Sequence, residues 1–137
     1  MKEVFADTGY WIALFDPKDE LHDKATAVSQ NLGQAIIVTS EMVLTEFANY
    51  FARRGSEFRS TVARVIDGIR NNPNVRLIPQ TSLQFQSAFT LYRNYLDKGW
   101  SLTDCASIVV MQELHIEEVL AHDQHFVQAG FRALLRD

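Results

Sequence analysis

Cysteine, proline and long apolar runs are scarce in this sequence of 137 residues. The single Cys105 excludes an internal disulfide and a cysteine-rich zinc cluster, so we interpret it as a small buried apolar residue. No stretch approaches the roughly 20 consecutive apolar residues that a membrane-spanning helix needs, and the first residues lack the basic and apolar pattern of a signal peptide. We therefore expect a soluble, cytoplasmic protein without a membrane partner.

A global excess of basic residues is also absent, since the formal net charge is -4. This balance counts against a nucleic-acid binder that uses its whole surface. Residues 51–76, however, hold six arginines against two acids, so the remaining acids are concentrated elsewhere. The arginine-rich segment is either a solvated helical face or a guide for a phosphate backbone, and Arg53 and Arg54 are our candidates for the second role.

Hydrophobic residues make up 47% of the chain, which is enough for the core of one domain over residues 1–137. The apolar pattern alternates between short β-branched runs and segments of helical period. We predict strands over residues 4–6, 35–39, 75–79 and 118–121, with a candidate fifth strand over 133–135. We predict helices over residues 10–15, 19–32, from 41 to near 55, 58–69, 82–96 and 102–114, and a helical turn that ends at 130. This alternation predicts an α/β fold with a central, mainly parallel sheet flanked by helices.

Acidic residues stand where a sheet of this kind binds ligands, beyond the carboxyl ends of its strands. Asp7 ends the first predicted strand, and Asp123 follows the strand that ends at Ala121. Asp104 lies in the first turn of a helix, on the face that should turn toward the sheet, and Glu46 flanks the apolar stripe of another helix. We expect the four acids to meet at one edge.

Each acid also has a structural explanation. Ser101 and Asp104 fit a capping box, Asp7 could be a turn residue, Asp123 could cap the last short helix, and Glu46 could face solvent. Their convergence favours a functional role, because clustered carboxylates raise one another's pKa unless cations neutralise them. Mg²⁺ and Mn²⁺ prefer oxygen ligands, and a carboxylate site of this kind predicts metal-dependent hydrolysis of phosphodiester bonds.

Several short motifs together resemble the PIN-domain family, in particular the VapC-like ribonuclease toxins of bacterial type II toxin–antitoxin pairs. The likeness covers nearly the whole chain. The motifs are Val4-Phe5-Ala6-Asp7-Thr8, residues 14–22 with Ala25, Leu44-Thr45-Glu46-Phe47, residues 101–107, Asp123-Gln124-His125-Phe126, and Ala129-Gly130-Phe131. One departure is Ala121, where the family often has Thr or Ser two residues before its last acid.

The resemblance implies a PIN-like fold whose acidic pocket binds Mg²⁺ or Mn²⁺ through Asp7, Glu46, Asp104 and Asp123, with help from the hydroxyl of Thr8. It implies an endonuclease that cleaves RNA, a cognate antitoxin whose tail blocks the pocket, and a homodimer. The alternative within the same fold is a module that binds RNA or protein without cutting. A phosphotransfer domain of receiver or haloacid-dehalogenase type fits less well, because the acid pair near the first strand that each requires is missing.

The histidines and the remaining aromatic residues give weaker signals. His22, His115, His122 and His125 have no partners at metal-ligand spacing, so we interpret them as structural or surface residues. The helical positions of six aromatic side chains favour packing over base stacking, with some left for a dimer interface: Tyr10, Trp11, Phe85, Phe89, Tyr92 and Tyr95.

Overall fold

Five short segments form one parallel sheet in the computed structural model, which describes residues 1–136, and the first four of them contain β-branched residues. The strands are β1 (Lys2–Ala6), β2 (Ala35–Ser40), β3 (Val75–Ile78), β4 (Glu118–Leu120) and β5 (Arg132–Ala133). Their order across the sheet is β3-β2-β1-β4-β5, and every neighbouring pair is parallel. The predicted α/β class with a parallel sheet is confirmed.

Seven helices connect and cover these strands. They are α1 (Thr8–Phe15), α2 (His22–Gln30), α3 (Glu41–Tyr50), α4 (Ser56–Asn71), α5 (Ser82–Asn94), α6 (Leu102–Glu113) and α7 (Gln124–Gln128) within the described residues. The helix predicted from residue 19 begins three residues later, because the Asp19 carboxylate accepts a hydrogen bond from the backbone N–H of Leu21 and holds a turn. The helix predicted to run to near Gly55 ends at Tyr50, and Gly55 adopts a φ of 92° just before α4.

The core surrounds β1, whose Val4, Phe5 and Ala6 are completely buried at the centre of the sheet. On one side, Phe15 of α1 makes edge-to-face contacts with Phe47 and Phe51, at centroid distances of 5.8 and 5.2 Å. These rings join α1 to the segment that contains α3. The packing matters for the site because Phe47 directly follows Glu46 in the chain.

The aromatic residues divide into two groups. Tyr10 and Trp11 are buried in the core, so the packing prediction holds for them. Four others are not buried within the chain, so for them the dimer interface stays a prediction. They are 41–44% exposed on or just after α5: Phe85, Phe89, Tyr92 and Tyr95. Helical spacing alone predicted an apolar stripe, but α5 buries Ala88 and leaves the aromatic stripe outside. Within residues 1–136, no helix is both long and apolar enough to cross a membrane.

Candidate active site

A cleft of about 860 Å³ opens beyond the carboxyl ends of β1 and β4. All four predicted acids line it, together with the predicted Thr8. The lining residues are Asp7, Thr8, Gly9, Ile12, Leu21, Glu46, Asn49, Tyr50, Gly99, Ser101, Asp104, His122, Asp123, Gln124, His125 and Arg136. The structure therefore brings together residues from both ends of the sequence, as expected for the ligand-binding edge of a parallel sheet.

Asp7 is placed by the end of β1. Its backbone N–H donates to the carbonyl of Leu120 in β4 at 3.2 Å, which continues the sheet by one residue. The Thr39 hydroxyl donates to the carbonyl of Ala6 at 2.9 Å and accepts from Trp11 Nε1 at 3.2 Å, which ties β1 to β2 and α1. Asp7 precedes α1 but its side chain does not cap that helix. Its carboxylate is buried, and its local backbone contact is with the N–H of Thr8.

Asp104 does form the predicted capping box. The Ser101 hydroxyl accepts from the Asp104 N–H at 3.0 Å, and Asp104 Oδ2 accepts from the Ser101 N–H at 3.0 Å. His125 Nδ1 lies 2.8 Å from the same oxygen. Because both contacts of the Asp104 carboxylate use Oδ2, the capping box leaves Oδ1 available as a ligand oxygen.

Asp123 caps α7, as its structural explanation required. Its Oδ1 accepts from the backbone N–H of His125 at 3.0 Å and lies 3.1 Å from His125 Nδ1. Ala121 is buried and offers no hydroxyl, so these contacts with His125 are what orient the Asp123 carboxylate. The Asp123 side chain is 45% exposed, whereas that of Asp104 is 13% exposed.

His125 is the residue that the sequence analysis missed. Asp104, Asp123 and His125 each offer one ligand atom, and these atoms lie within 4.8 Å of one another. The prediction that His125 has no partner suitable for a metal site was therefore wrong. The feature that could have identified His125 is its position two residues after Asp123, in the first turn of the helix that Asp123 caps. His22 fits the structural interpretation, because its Nδ1 lies 2.7 Å from the carbonyl of Ala13.

Glu46 is exposed on α3 and lines the cleft one turn before Tyr50. Arg53 and Arg54, the arginines predicted to guide a phosphate backbone, lie further along the chain and are not among the cleft-lining residues. The guanidinium of Arg54 lies over the rings of Phe51 and Phe58, at 5.4 and 5.5 Å from their centroids. The cleft-lining residues instead include the guanidinium of Arg136.

The electrostatics of the cleft favour a bound cation. Burial, together with the neighbouring charges of Asp104, Glu46 and Asp123, raises the pKa of Asp7 from 3.8 to about 7. Burial also raises the pKa of Asp104, although the Ser101 N–H and His125 oppose this. The arrangement holds negative charge that the protein alone does not neutralise.

The donor atoms fit a divalent metal ion. Asp104 and Asp123 offer oxygens, which hard divalent cations prefer, and His125 offers a nitrogen within the same 4.8 Å cluster. Asp7 and Glu46 line the same cleft but lie outside this cluster. The hydroxyl of Thr8 is buried beside Asp7 and has no hydrogen-bond partner among the described residues. A metal-bound water or a phosphate oxygen would satisfy it. The cleft can therefore hold a divalent cation with a phosphate-bearing ligand.

Comparison with known proteins gives the same fold. The chain is 29% identical over 128 residues to the 23S rRNA-specific endonuclease VapC20 of Mycobacterium tuberculosis, covering 93% of this chain and 95% of the relative. The crystal structure of that protein, described as a sarcin-ricin loop cleaving toxin, superimposes with a TM-score of 0.82 over 93% of this chain and 95% of its own. The crystal structure of FitAcB from Neisseria gonorrhoeae, at 12% identity, shares the fold alone, with a TM-score of 0.67 and 95% of each chain covered.

The family model described as PIN domain matches residues 4–132. This range includes every acidic residue that lines the cleft. The resemblance found in the sequence motifs is confirmed, and the chain belongs to the PIN domain family.

Proposed function

We propose that this protein is a metal-dependent endoribonuclease and the toxin of a toxin–antitoxin pair, with residues 1–137 forming one cytoplasmic nuclease domain. The observation that carries the proposal is the carboxylate of Asp7 in the acidic cleft, whose pKa burial and three further acids raise to about 7. Folded proteins rarely retain such a cluster unless a cation or a reaction uses it. The likeness to an endonuclease toxin over 93% of the chain supports the same activity.

In this proposal Asp7, Glu46, Asp104 and Asp123 hold Mg²⁺ or Mn²⁺. The bound metal would activate water and stabilise the leaving oxygen of the phosphodiester. The Thr8 hydroxyl, which has no hydrogen-bond partner among the described residues, would donate to a phosphate oxygen or a metal-bound water in the cleft. His125 orients the Asp104 and Asp123 carboxylates, or serves as a ligand itself, through the ring nitrogen that lies 2.8 and 3.1 Å from them.

The relatives indicate which RNA should be tested first as a substrate. The similar toxin from Mycobacterium tuberculosis is described as cleaving the sarcin-ricin loop, so an RNA that contains this loop is the first substrate we would test. We also propose that Arg53 and Arg54 attract the phosphate backbone from outside the cleft, because both are exposed on the segment that follows α3.

The proposal is tested with purified protein, a sarcin-ricin loop RNA, and either Mg²⁺, Mn²⁺ or a chelator. We expect cleavage with metal and none with the chelator. Mn²⁺ at about 100 times its dissociation constant should also stabilise the fold by about 2.7 kcal/mol, because it binds only the native state. Thermal unfolding with and without Mn²⁺ measures this.

Asp67→Asn is the matched control for the loss of a cleft acid by Asp7→Asn, since Asp67 is exposed on α4 outside the cleft. This variant should cleave and respond to Mn²⁺ like the unmodified protein. A protein that binds RNA without a Mn²⁺ response or cleavage would instead be the non-catalytic binding module. Metal binding without cleavage of this RNA would point to another RNA sequence.

We further propose that a cognate antitoxin binds this protein and that the protein forms a homodimer through α5. Large apolar side chains are exposed along and just after this helix, and the Phe85 and Phe89 rings stack at a centroid distance of 6.2 Å. An exposed apolar stripe of this kind is typical of a protein interface, and one stripe can pair with its own copy about a two-fold axis.

Phe89→Glu should therefore convert a dimer to a monomer, because it places a charge in the centre of the stripe. Light scattering coupled to size-exclusion chromatography measures the mass. Thr90→Glu adds the same charge to an exposed position on another flank of α5 and should leave the dimer intact. Equal masses for the two variants would exclude α5 as the interface.

A further inference from the structure

The cleft of acidic residues is also lined by one strongly basic side chain. Among residues 1–136, Arg136 is the one lysine or arginine that lines the cleft, where four carboxylates also lie. In the sequence, Arg136 is 60 residues beyond the end of the arginine-rich segment, residues 51–76, from which we chose the candidates for RNA binding. A fixed cation beside an acidic site helps that site to accept a polyanion. A guanidinium at the rim of this cleft could therefore serve substrate binding.

Arg136 is held in place, and no carboxylate of residues 1–136 neutralises it. Its Nη1 donates to the backbone carbonyl of His122 at 2.8 Å. His122 directly precedes Asp123, so the contact fixes the guanidinium next to the last acid of the cleft. Within the described residues no carboxylate lies within ion-pair distance of Arg136, although the cleft contains four. The remaining guanidinium N–H groups are free to bind an anion.

We propose that Arg136 is a substrate-binding residue that holds an RNA phosphate adjacent to the scissile phosphodiester. This inference rests on the proposed ribonuclease function. The carboxylates would hold the metal that binds the scissile phosphate, so a neighbouring phosphate of the same strand is the anion within reach of the cleft rim. Arginine suits this role, because its planar group can bind two phosphate oxygens at once while one N–H stays on the His122 carbonyl.

The test measures RNA affinity as a function of salt. Fluorescence anisotropy with a labelled sarcin-ricin loop RNA is recorded with Mg²⁺ in the Asp7→Asn background, which prevents cleavage. Adding Arg136→Ala should weaken binding about 3- to 10-fold and make the plot of log affinity against log salt shallower by about 0.7 to 0.9, the contribution of one phosphate. Arg136→Lys should keep the slope and recover part of the affinity.

Arg132→Ala is the matched control. It removes the same charge four residues earlier, but Arg132 lies at the amino ends of the strands, where it contacts Glu118 at 3.3 Å. This variant should keep the affinity and the slope of the parent. In the cleaving protein, Arg136→Ala should raise KM and leave kcat nearly unchanged, because the contact is away from the reacting phosphate.

Four outcomes would overturn the inference. Equal slopes for Arg136→Ala and Arg132→Ala would show that no phosphate is bound at Arg136. A lower melting temperature with an unchanged slope would assign the side chain a structural role through the His122 carbonyl. A metal-binding parent that neither binds nor cleaves RNA would remove the proposed function, and this inference with it, whereas cleavage by Arg136→Ala with parental KM would remove the inference alone.

Discussion

Asp7→Asn is expected to reduce cleavage by about three orders of magnitude and, at the same time, to stabilise the metal-free protein above neutral pH. The loss of activity follows because metal-assisted charge stabilisation is worth several kcal/mol, and about 1.4 kcal/mol corresponds to a tenfold change in rate. The gain in stability follows from the pKa of Asp7, which burial and three neighbouring acids raise from 3.8 to about 7.

The sign of the pH effect can be worked out from these two values. Below pH 3.8 the Asp7 carboxyl is protonated in both the unfolded and the folded chain, so its ionisation costs nothing. As the pH rises toward about 7 the unfolded chain loses the proton freely while the folded chain retains it, and stability falls. Above about 7 the folded protein holds the buried charge, at a cost of up to about 4 kcal/mol.

Asn carries no charge, so Asp7→Asn should remove most of this cost. We expect a gain of about 2 kcal/mol at about pH 8 with chelator, since a buried amide retains part of the desolvation penalty. At about pH 4 the gain should nearly vanish. Urea unfolding at the two pH values measures the difference. Addition of Mn²⁺ should reverse the order of stability, because only the unmodified protein retains the full ligand set.

A variant that is inactive and also less stable at both pH values would contradict this account. It would mean that the Asp7 carboxylate supports the fold, for example through the strand end at which it lies. Asp67→Asn again serves as the control, and its stability should not show the same pH dependence, because Asp67 is exposed.

The placement of the acids could be predicted because it follows from local signals. Asp7 and Asp123 each follow a short apolar strand, and parallel strands bring their carboxyl ends to one edge. Asp104 was identified from the conflict between its charge and the apolar face of its helix. These inferences needed only the period of the sequence and the direction of the strands.

Other residues of the site depend on contacts that the sequence does not encode locally. His125 meets Asp104 because α7 lies against the start of α6, where Trp100 Nε1 donates to Gln128 Oε1 at 3.1 Å. Arg136 reaches the cleft because the chain after β5 continues alongside β4 to its carboxyl end, with the Leu135 N–H donating to the carbonyl of Ala121 at 3.1 Å. No periodicity predicts either approach, since both are long-range packing contacts.

The exposed aromatic stripe on α5 could not be predicted as a surface feature for a similar reason. Helical spacing predicts which residues share a face but not whether that face turns toward the sheet. The buried position of Ala88 shows that the smaller side chains of α5 approach α6 and the rings point away. A surface that serves a partner therefore has the same sequence pattern as a core.

Asp104 gives the second large expected effect, because one carboxylate serves both the fold and the proposed chemistry. Ser101→Ala removes the hydroxyl that accepts from the Asp104 N–H, and it should cost about 1 kcal/mol of stability. It leaves the carboxylate in place, so metal binding and cleavage should persist. Asp104→Asn should do the opposite. Its amide oxygen can still accept from the Ser101 N–H, whereas cleavage should fall by about three orders of magnitude.

The two variants separate capping from catalysis when unfolding free energy, Mn²⁺ affinity and cleavage rate are measured on the same preparations. Calorimetry in Mn²⁺ should give nearly the parental affinity for Ser101→Ala and a greatly weakened one for Asp104→Asn. If Asp104→Asn keeps both metal affinity and cleavage, Asp104 is a helix cap alone, and the metal ligands are the remaining acids and His125. If Ser101→Ala loses cleavage as completely as Asp104→Asn, the capping box is what fixes the carboxylate for the reaction, because a ligand displaced by about 1 Å can cost about two orders of magnitude in rate.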